Sequence, residues 1–88
     1  MTLSKTFSAL SDETRRRVLE MLKNKEMSVN EIAINFDIAL PSMSHHLAIL
    51  KNAGLVSTRR KGQQIIYSLN LSVFEEAAKD IYNFFNKK

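Results

Sequence analysis

The stretch LPSMSHHLAILKNAG, residues 40–54, carries the signals of a single helix with a marked beginning and end. Pro41 suits the first turn of a helix, where its missing N–H costs no hydrogen bond. Gly54 suits the position just past the end, which often needs a positive φ angle. Between them, apolar side chains recur at helical spacing and predict one buried stripe: Leu40, Met43, Leu47 and Leu50.

The opposite face of this predicted helix carries short hydrogen-bonding side chains and almost no charge. At about 100° per residue, His45 points away from the apolar stripe, and Ser42 and Ser44 flank it. A solvated face normally carries Lys and Glu, whereas short donors and acceptors can contact base edges in a major groove. Taken alone, this face fits a DNA-contacting helix and a serine-rich surface helix equally well.

The composition of the 88 residues fits one small globular domain, which we expect to span residues 1–88. With 44% hydrophobic and 25% charged residues, the chain is too apolar for a disordered protein. Cysteine is absent, which excludes disulfides and thiolate metal sites. Because neither a membrane-length apolar run nor a signal-peptide pattern occurs, we expect a soluble cytoplasmic protein without membrane insertion.

The positive charge is concentrated around the same helix. From Ile38 through Phe74 there is no Asp or Glu, and the basic residues in that stretch are Lys51, Arg59, Arg60 and Lys61. The remaining chain has nine basic and nine acidic residues, so the whole net charge of +4 lies in this stretch. Such an asymmetry indicates a polyanionic partner.

Two helices are predicted near the N-terminus, the first a short amphipathic one and the second beginning at Ser11 or Asp12. The second helix has Arg15 on its inward stripe, while Arg16 and Arg17 face outward. The outward pair could hold phosphates, but two glutamates lie at helix-neighbour spacing. We therefore favour a solvated ion-pair face, formed with Glu13 and Glu20.

A third helix begins at Ser28, which forms a capping box with Glu31. The periodicity then resets, so we expect a tight turn, in which Asp37 tolerates the left-handed conformation that such turns often need. The small Ala33 lets the helices on either side cross closely, and Ile38 fills the gap between them. Two short helices joined by a tight turn form a helix-turn-helix, whose second helix enters DNA.

After this helix the spacing changes to the alternation typical of strands, over residues 56–60 and 64–69. Gly62 marks a hairpin turn between them. So small a hairpin is not stable alone and must pack on the helices, which leaves its tip projecting. The side chains at or near that tip, with no nearby carboxylate to pair the cations, are Arg59, Arg60, Lys61 and Gln63.

A last helix begins at Asn70 or Ser72 and is rich in aromatic residues. A domain of this size has little core left for them, so we interpret its excess apolar face as a homodimer surface shared with the first helix. The alternative is ordinary packing within one domain. The predicted dimer residues are Leu3, Phe7, Leu10, Phe74, Ala78, Ile81, Tyr82 and Phe85.

Catalytic and metal sites find little support in the sequence. Ser44 and His45 are adjacent, and adjacent side chains on a helix do not face each other. The pair His45 and His46 fails as a metal site for the same reason and lacks further ligands. We therefore expect no enzyme activity, no metal and no cofactor.

Several motifs together resemble those of ArsR-type winged helix-turn-helix repressors. ALSDETR at 9–15 is similar to their opening signature, and SMSHHL at 42–47 with LKNAGLV at 50–56 resembles their recognition helix and its exit. RRKGQ at 59–63 and YSL at 67–69 resemble their wing. The resemblance covers nearly the whole chain and is closest to the SdpR-like autorepressor branch, whose members lack metal sites.

This resemblance implies a mainly α fold with a small β-hairpin (α+β), built from five helices and a two-stranded wing. It implies a homodimer that binds a double-stranded, inverted-repeat operator and represses transcription. The candidate DNA-binding residues are then Leu40, Ser42, Ser44, His45, His46, Arg59, Arg60, Lys61 and Gln63.

The chain also departs from many members of that family. The cysteines with which some bind metals at the third helix are replaced by Ser28 and Asn30, and residues 72–88 contain no histidine. Leu40 stands where many members carry a polar residue, so it either contacts a thymine methyl group or packs. A winged helix that docks an acidic protein remains the alternative function, and a regulatory protein partner stays open.

Overall fold

The computed structural model describes residues 3–86, without the side chains of Leu3 and Ser4. Five helices and three strands alternate along the chain. In order they are α1 Leu3–Leu10, α2 Glu13–Leu22, β1 Met27–Ser28, α3 Val29–Ala33, α4 Leu40–Asn52, β2 Val56–Lys61, β3 Gln64–Leu69 and α5 Leu71–Phe85. The winged helix-turn-helix architecture expected from the sequence is confirmed.

Helix α4 lies across the middle of the core. Met43, Leu47 and Leu50 are fully buried, whereas Leu40 at its start is 49% exposed and does not continue the predicted stripe. The helix ends as expected at Gly54, whose φ of 77° allows a Schellman motif. Its two hydrogen bonds run from Gly54 N–H to Lys51 O at 2.9 Å and from Leu55 N–H to Leu50 O at 3.0 Å.

The beginnings of α2 and α3 follow the sequence signals. Asp12 is the N-cap of α2 and accepts a hydrogen bond from the Arg15 N–H at 3.1 Å. Ser28 caps α3, and with Glu31 it makes both hydrogen bonds of the predicted capping box. Both caps need only residues within one turn, which is why the sequence alone predicts them.

The turn between α3 and α4 differs from what the sequence suggests in two respects. Within residues 3–86 only glycines have positive φ, so Asp37 does not take the left-handed conformation that such turns often need. The backbone instead continues from α3 in tight turns, with Phe36 N–H bonded to Ala33 O at 3.0 Å. The expected burial of Ile38 between the helices is wrong, since it is 38% exposed and Phe36 packs against the core instead.

The wing is part of a three-stranded antiparallel sheet in the order β1-β3-β2. The third strand, β1, is only two residues long, too short for its alternation to show in the sequence. In β2, the register places Arg60 opposite Ile65 and Arg59 opposite Ile66. Because directly paired residues share a face of the sheet, Arg59 and Arg60 lie on opposite faces.

Helix α5 is held by few of its side chains. Ala77 is buried, while Tyr82 and Phe85 are 66% and 73% exposed. The described chain measures 49 × 24 × 20 Å, so it is elongated. None of the helices between residues 3 and 86 has the length and apolar character needed to cross a membrane.

Candidate nucleic-acid interface

The outward face of α4 carries the short polar side chains predicted to contact bases. Ser42, Ser44 and His45 are all exposed, and Leu40 extends the same exposed end of the helix. Within residues 3–86, the side chains of these three polar residues make no hydrogen bond. They are therefore available for contacts with another molecule.

His46 lies differently from the other predicted contact residues of α4. Its side chain is 19% exposed, and its Nδ1 atom is 3.1 Å from Nη1 of Arg15. The rings of His45 and His46 are 6.3 Å apart with their planes at 51°. His45 is exposed to solvent, whereas His46 contacts α2. A contact between His46 and DNA stays a prediction, while its contact with α2 is a feature of the fold.

The cations of the wing are not equivalent. Arg59 forms an ion pair with Glu26, in the loop before β1, so the expected absence of a nearby carboxylate is wrong. The two residues are far apart in the sequence, and the pairing of both β1 and β2 with β3 brings them together. Arg59 and Lys61 share one face of β2 and, with Glu26 and Glu31, line a cleft there.

Arg60 is exposed on the other face of β2, and its side chain makes no ion pair or hydrogen bond with the described residues. Gln63 is exposed in the two-residue turn at the tip, after Gly62 with its φ of 62°. The structure therefore separates the predicted cationic tip into a paired residue, Arg59, and a residue with a free charge, Arg60.

The outward arginines of α2 do not form the expected ion-pair face. Arg16 donates to Leu10 O at 2.7 Å, at the end of α1. The guanidinium of Arg17 lies 4.5 Å from the ring centre of Phe36 and makes a cation–π contact. Glu20 pairs instead with Lys23 at 3.6 Å.

The predicted dimer residues fall into an exposed and a half-buried group. Phe7, Ala78, Tyr82 and Phe85 are exposed, whereas Leu10, Phe74 and Ile81 are half-buried. The side chain of Leu3 lies outside the described residues. The sequence-based set missed Phe84, which is 59% exposed and meets Phe7 edge to face at a centroid distance of 6.4 Å.

Phe84 links the two terminal helices, because Phe7 belongs to α1 and Phe84 to α5. It also packs edge to face with Phe85 at 5.2 Å. The signal that could have found it is its place beside the apolar stripe of the last helix. Ring contacts join Phe7, Phe84 and Phe85, and Tyr82 is exposed one helical turn before Phe85. These four exposed residues are here called the aromatic face.

The described residues contain no group of three His, Cys, Asp or Glu side chains placed to hold a metal ion. Ser44 and His45 are both exposed on α4, and within residues 3–86 the ring contact of His45 is with its neighbour His46. The site is a surface of polar, cationic and apolar contacts.

Comparisons with known proteins give consistent results. The sequence matches a model of the bacterial regulatory protein arsR family over residues 12–58, more than half of the chain. It is 47% identical to the transcriptional repressor SdpR of Bacillus subtilis over 97% of this chain and 94% of that protein. It is 51% identical to the HTH-type transcriptional regulator KmtR of Mycobacterium tuberculosis over 72% of this chain and 48% of that protein.

A solved structure, of a possible transcriptional regulator for arsenical resistance, has the same fold. It superposes with a TM-score of 0.83 and 29% sequence identity, and the match covers 90% of this chain and 82% of that one.

Proposed function

The chain belongs to the ArsR family of bacterial regulatory proteins, and from that membership we propose that it binds an inverted-repeat operator as a homodimer. As a member it is a DNA-binding transcriptional repressor and not an enzyme. We further propose that residues 1–88 form a single DNA-binding domain and that the protein acts in the cytoplasm, where bacterial DNA lies.

The observation that carries the proposal is the pairing of an uncharged polar face with a free cation. Ser42, Ser44 and His45 are exposed on α4, in a stretch of chain without any carboxylate. Such short groups suit the edges of bases in the major groove. Arg60 projects from the wing without a partner among the described residues and suits a phosphate or the adjacent minor groove.

The aromatic face supports the homodimer. Its members are large apolar side chains that a monomer leaves in water, and they lie on the two helices at the ends of the domain. A second copy of the chain could bury them through a two-fold interface, in which the same residues meet from both sides. Two recognition helices related by that axis would match an inverted repeat.

Gel retardation of DNA from upstream of the gene that encodes the protein tests the proposal. We expect a salt-sensitive complex on that DNA, a weaker one on scrambled DNA, and a footprint with two symmetric halves. Equal affinity for both DNAs at every salt concentration would contradict an operator. A protein-docking winged helix requires no such complex, so the same assay separates the two functions.

A further inference from the structure

Arg15 is a buried cation that the proposed DNA contacts do not use. It is 8% exposed, and its guanidinium donates from Nε to Ala9 O at 2.8 Å and from Nη2 to Ser8 O at 2.9 Å. Both carbonyls lie in the last turn of α1, at the negative end of the helix dipole. Arg15, on α2, therefore holds the end of α1.

The remaining contact of Arg15 reaches the recognition helix. Its Nη1 atom lies 3.1 Å from Nδ1 of His46. Arginine has no acceptor, so Nδ1 must accept this hydrogen bond, and the ring hydrogen lies on Nε2. Oδ2 of Asp12 is 3.8 Å from the same Nδ1, beyond hydrogen-bond distance, and it accepts instead from the Arg15 backbone.

One guanidinium thus joins three helices. It connects α1, which carries part of the aromatic face, to α2 and to α4, which carries the base-contacting face. Hydrogen bonds to a charged donor are among the stronger ones, and burial excludes competing water. The orientation of α4 relative to α1 is therefore fixed by specific atoms as well as by apolar packing.

We propose that His46 is a positioning residue. Through Arg15 it fixes the recognition helix α4 relative to α1, which carries part of the aromatic face, and so sets the spacing between operator half-sites that the dimer accepts. This inference rests on the proposed operator-binding homodimer. In such a dimer the distance and twist between the two α4 helices depend on how rigidly each is held to the elements at the two-fold axis.

Half-site spacing is a sensitive readout of that rigidity. Half-sites one helical turn apart are about 34–36 Å and 10–10.5 base pairs from centre to centre. One added base pair therefore shifts a half-site by about 3.4 Å and rotates it by about 35°. A dimer with rigidly held helices loses a half-site on such DNA, whereas loosened helices follow the displaced site.

Two variants of similar size separate the effect of the hydrogen-bond acceptor from the effect of side-chain volume. His46→Leu keeps an apolar shape but removes the acceptor, while His46→Asn places an amide oxygen near the position of Nδ1. An operator is first selected from random duplexes with the wild-type protein. Affinities are then measured for that operator and for versions with one base pair inserted or deleted between the half-sites, with thermal unfolding alongside.

We expect the wild-type protein to lose about tenfold or more in affinity on the altered spacings, the size of one or two disrupted base-pair contacts. For His46→Leu this loss should shrink to about twofold or threefold, because affinity for the native spacing falls more than affinity for the altered ones. His46→Asn should behave as the wild type does. A purely structural role would lower affinity for all spacings by one factor.

Several outcomes would overturn the inference. One is a His46→Leu protein that keeps the spacing preference of the wild type, whether its affinity is unchanged or lowered by the same factor on all spacings. A ring-nitrogen NMR spectrum of the wild type that places the hydrogen of His46 on Nδ1 would also overturn it. If the wild type selects no operator or binds as a monomer, the proposed function fails first and this inference with it.

If circular dichroism shows that His46→Leu is unfolded, Arg15→Lys takes its place. A lysine keeps the buried charge and can reach the carbonyls of α1, but it lacks the planar fork that serves three acceptors at once. The same loss of spacing preference is expected for it, and an unchanged preference would overturn the inference.

Discussion

His45 and Arg60 differ in reach as well as in charge, so their side chains should act on DNA in different ways. His45→Ala should lower operator affinity by about 1–3 kcal/mol, the range for one good base contact, and hardly change affinity for scrambled DNA. Arg60→Ala should weaken binding to both DNAs and reduce the salt slope by about one unit.

The measurement is a salt titration of each variant on both DNAs. Arg59→Ala is the matched control, because its charge is already paired with Glu26 and its removal should cost less affinity than that of Arg60. If His45→Ala weakens binding to both DNAs equally, while Arg60→Ala removes only the preference for operator over scrambled DNA, the two roles are reversed.

Asp12 connects the cap of α2 to the pH dependence of stability. The hydrogen bond from the Arg15 backbone N–H, opposed by desolvation, holds the pKa of the Asp12 carboxyl below its usual value. As the pH falls, the unfolded chain takes up this proton first. The stabilisation from Asp12 is therefore complete above the ordinary aspartate range and is lost as the pH drops toward the lowered pKa.

Asp12→Asn should flatten that pH dependence. Asparagine is as good an N-cap as aspartate but does not titrate, so urea unfolding of the variant should lose less free energy between pH 7 and pH 3. Glu31, whose pKa is lowered by the backbone N–H of Ser28, keeps part of the dependence in both proteins. Asp12→Ala should cost about 1 kcal/mol at pH 7. An unchanged pH profile in Asp12→Asn would refute the assignment.

At the scale of elements, a carboxylate of the protein would compete with DNA phosphates for one cation of the wing. The carboxylate of Glu26 occupies Arg59, which shares a face of β2 with Lys61. Glu26→Gln should free this cation, tighten binding to operator and scrambled DNA alike, and steepen the salt dependence by about one unit.

Glu20→Gln is the matched control for this variant, since it removes the same charge from a residue paired with Lys23 on α2. It should change the salt slope much less than Glu26→Gln does. If the two variants bind DNA equally, the ion pair of Arg59 does not limit its contact with phosphate.

The elements themselves could be predicted wherever their signals are local. The capping box at Ser28 and the glycine after α4 act within one turn of chain, and both are confirmed. By contrast, the Arg15–His46 contact joins residues 31 positions apart, and the Glu26–Arg59 pair joins residues 33 apart. Such contacts depend on how helices cross and strands pair, which hydrophobic spacing does not specify.

At the scale of the whole molecule, the aromatic face should decide the oligomeric state. Phe85→Asp places a charge among apolar side chains that a partner copy would bury, so the variant should sediment as a monomer where the wild type is a dimer. Ile34→Asp is the control, because Ile34 is 83% exposed but follows α3 directly and belongs to neither α1 nor α5. A wild-type chain that stays monomeric at high micromolar concentration would contradict the dimer.

The aromatic face was only partly predictable from the sequence for a reason that also applies to other small domains. Helical spacing places Phe74 and Phe85 on one stripe, yet the structure packs Phe74 against the core and leaves Phe85 exposed. Which aromatics a domain uses internally depends on where the core ends, and that is a property of the assembled helices.

The exposed position of Tyr82 also gives the molecule a built-in optical reporter. The chain has two tyrosines and no tryptophan, so its ultraviolet emission comes from Tyr67 and Tyr82 alone. Tyr67 is half-buried in β3, while Tyr82 is 66% exposed on α5. If two copies associate through the aromatic face, iodide should quench the emission strongly in dilute solution and weakly in concentrated solution, so that assembly can be followed without any attached dye.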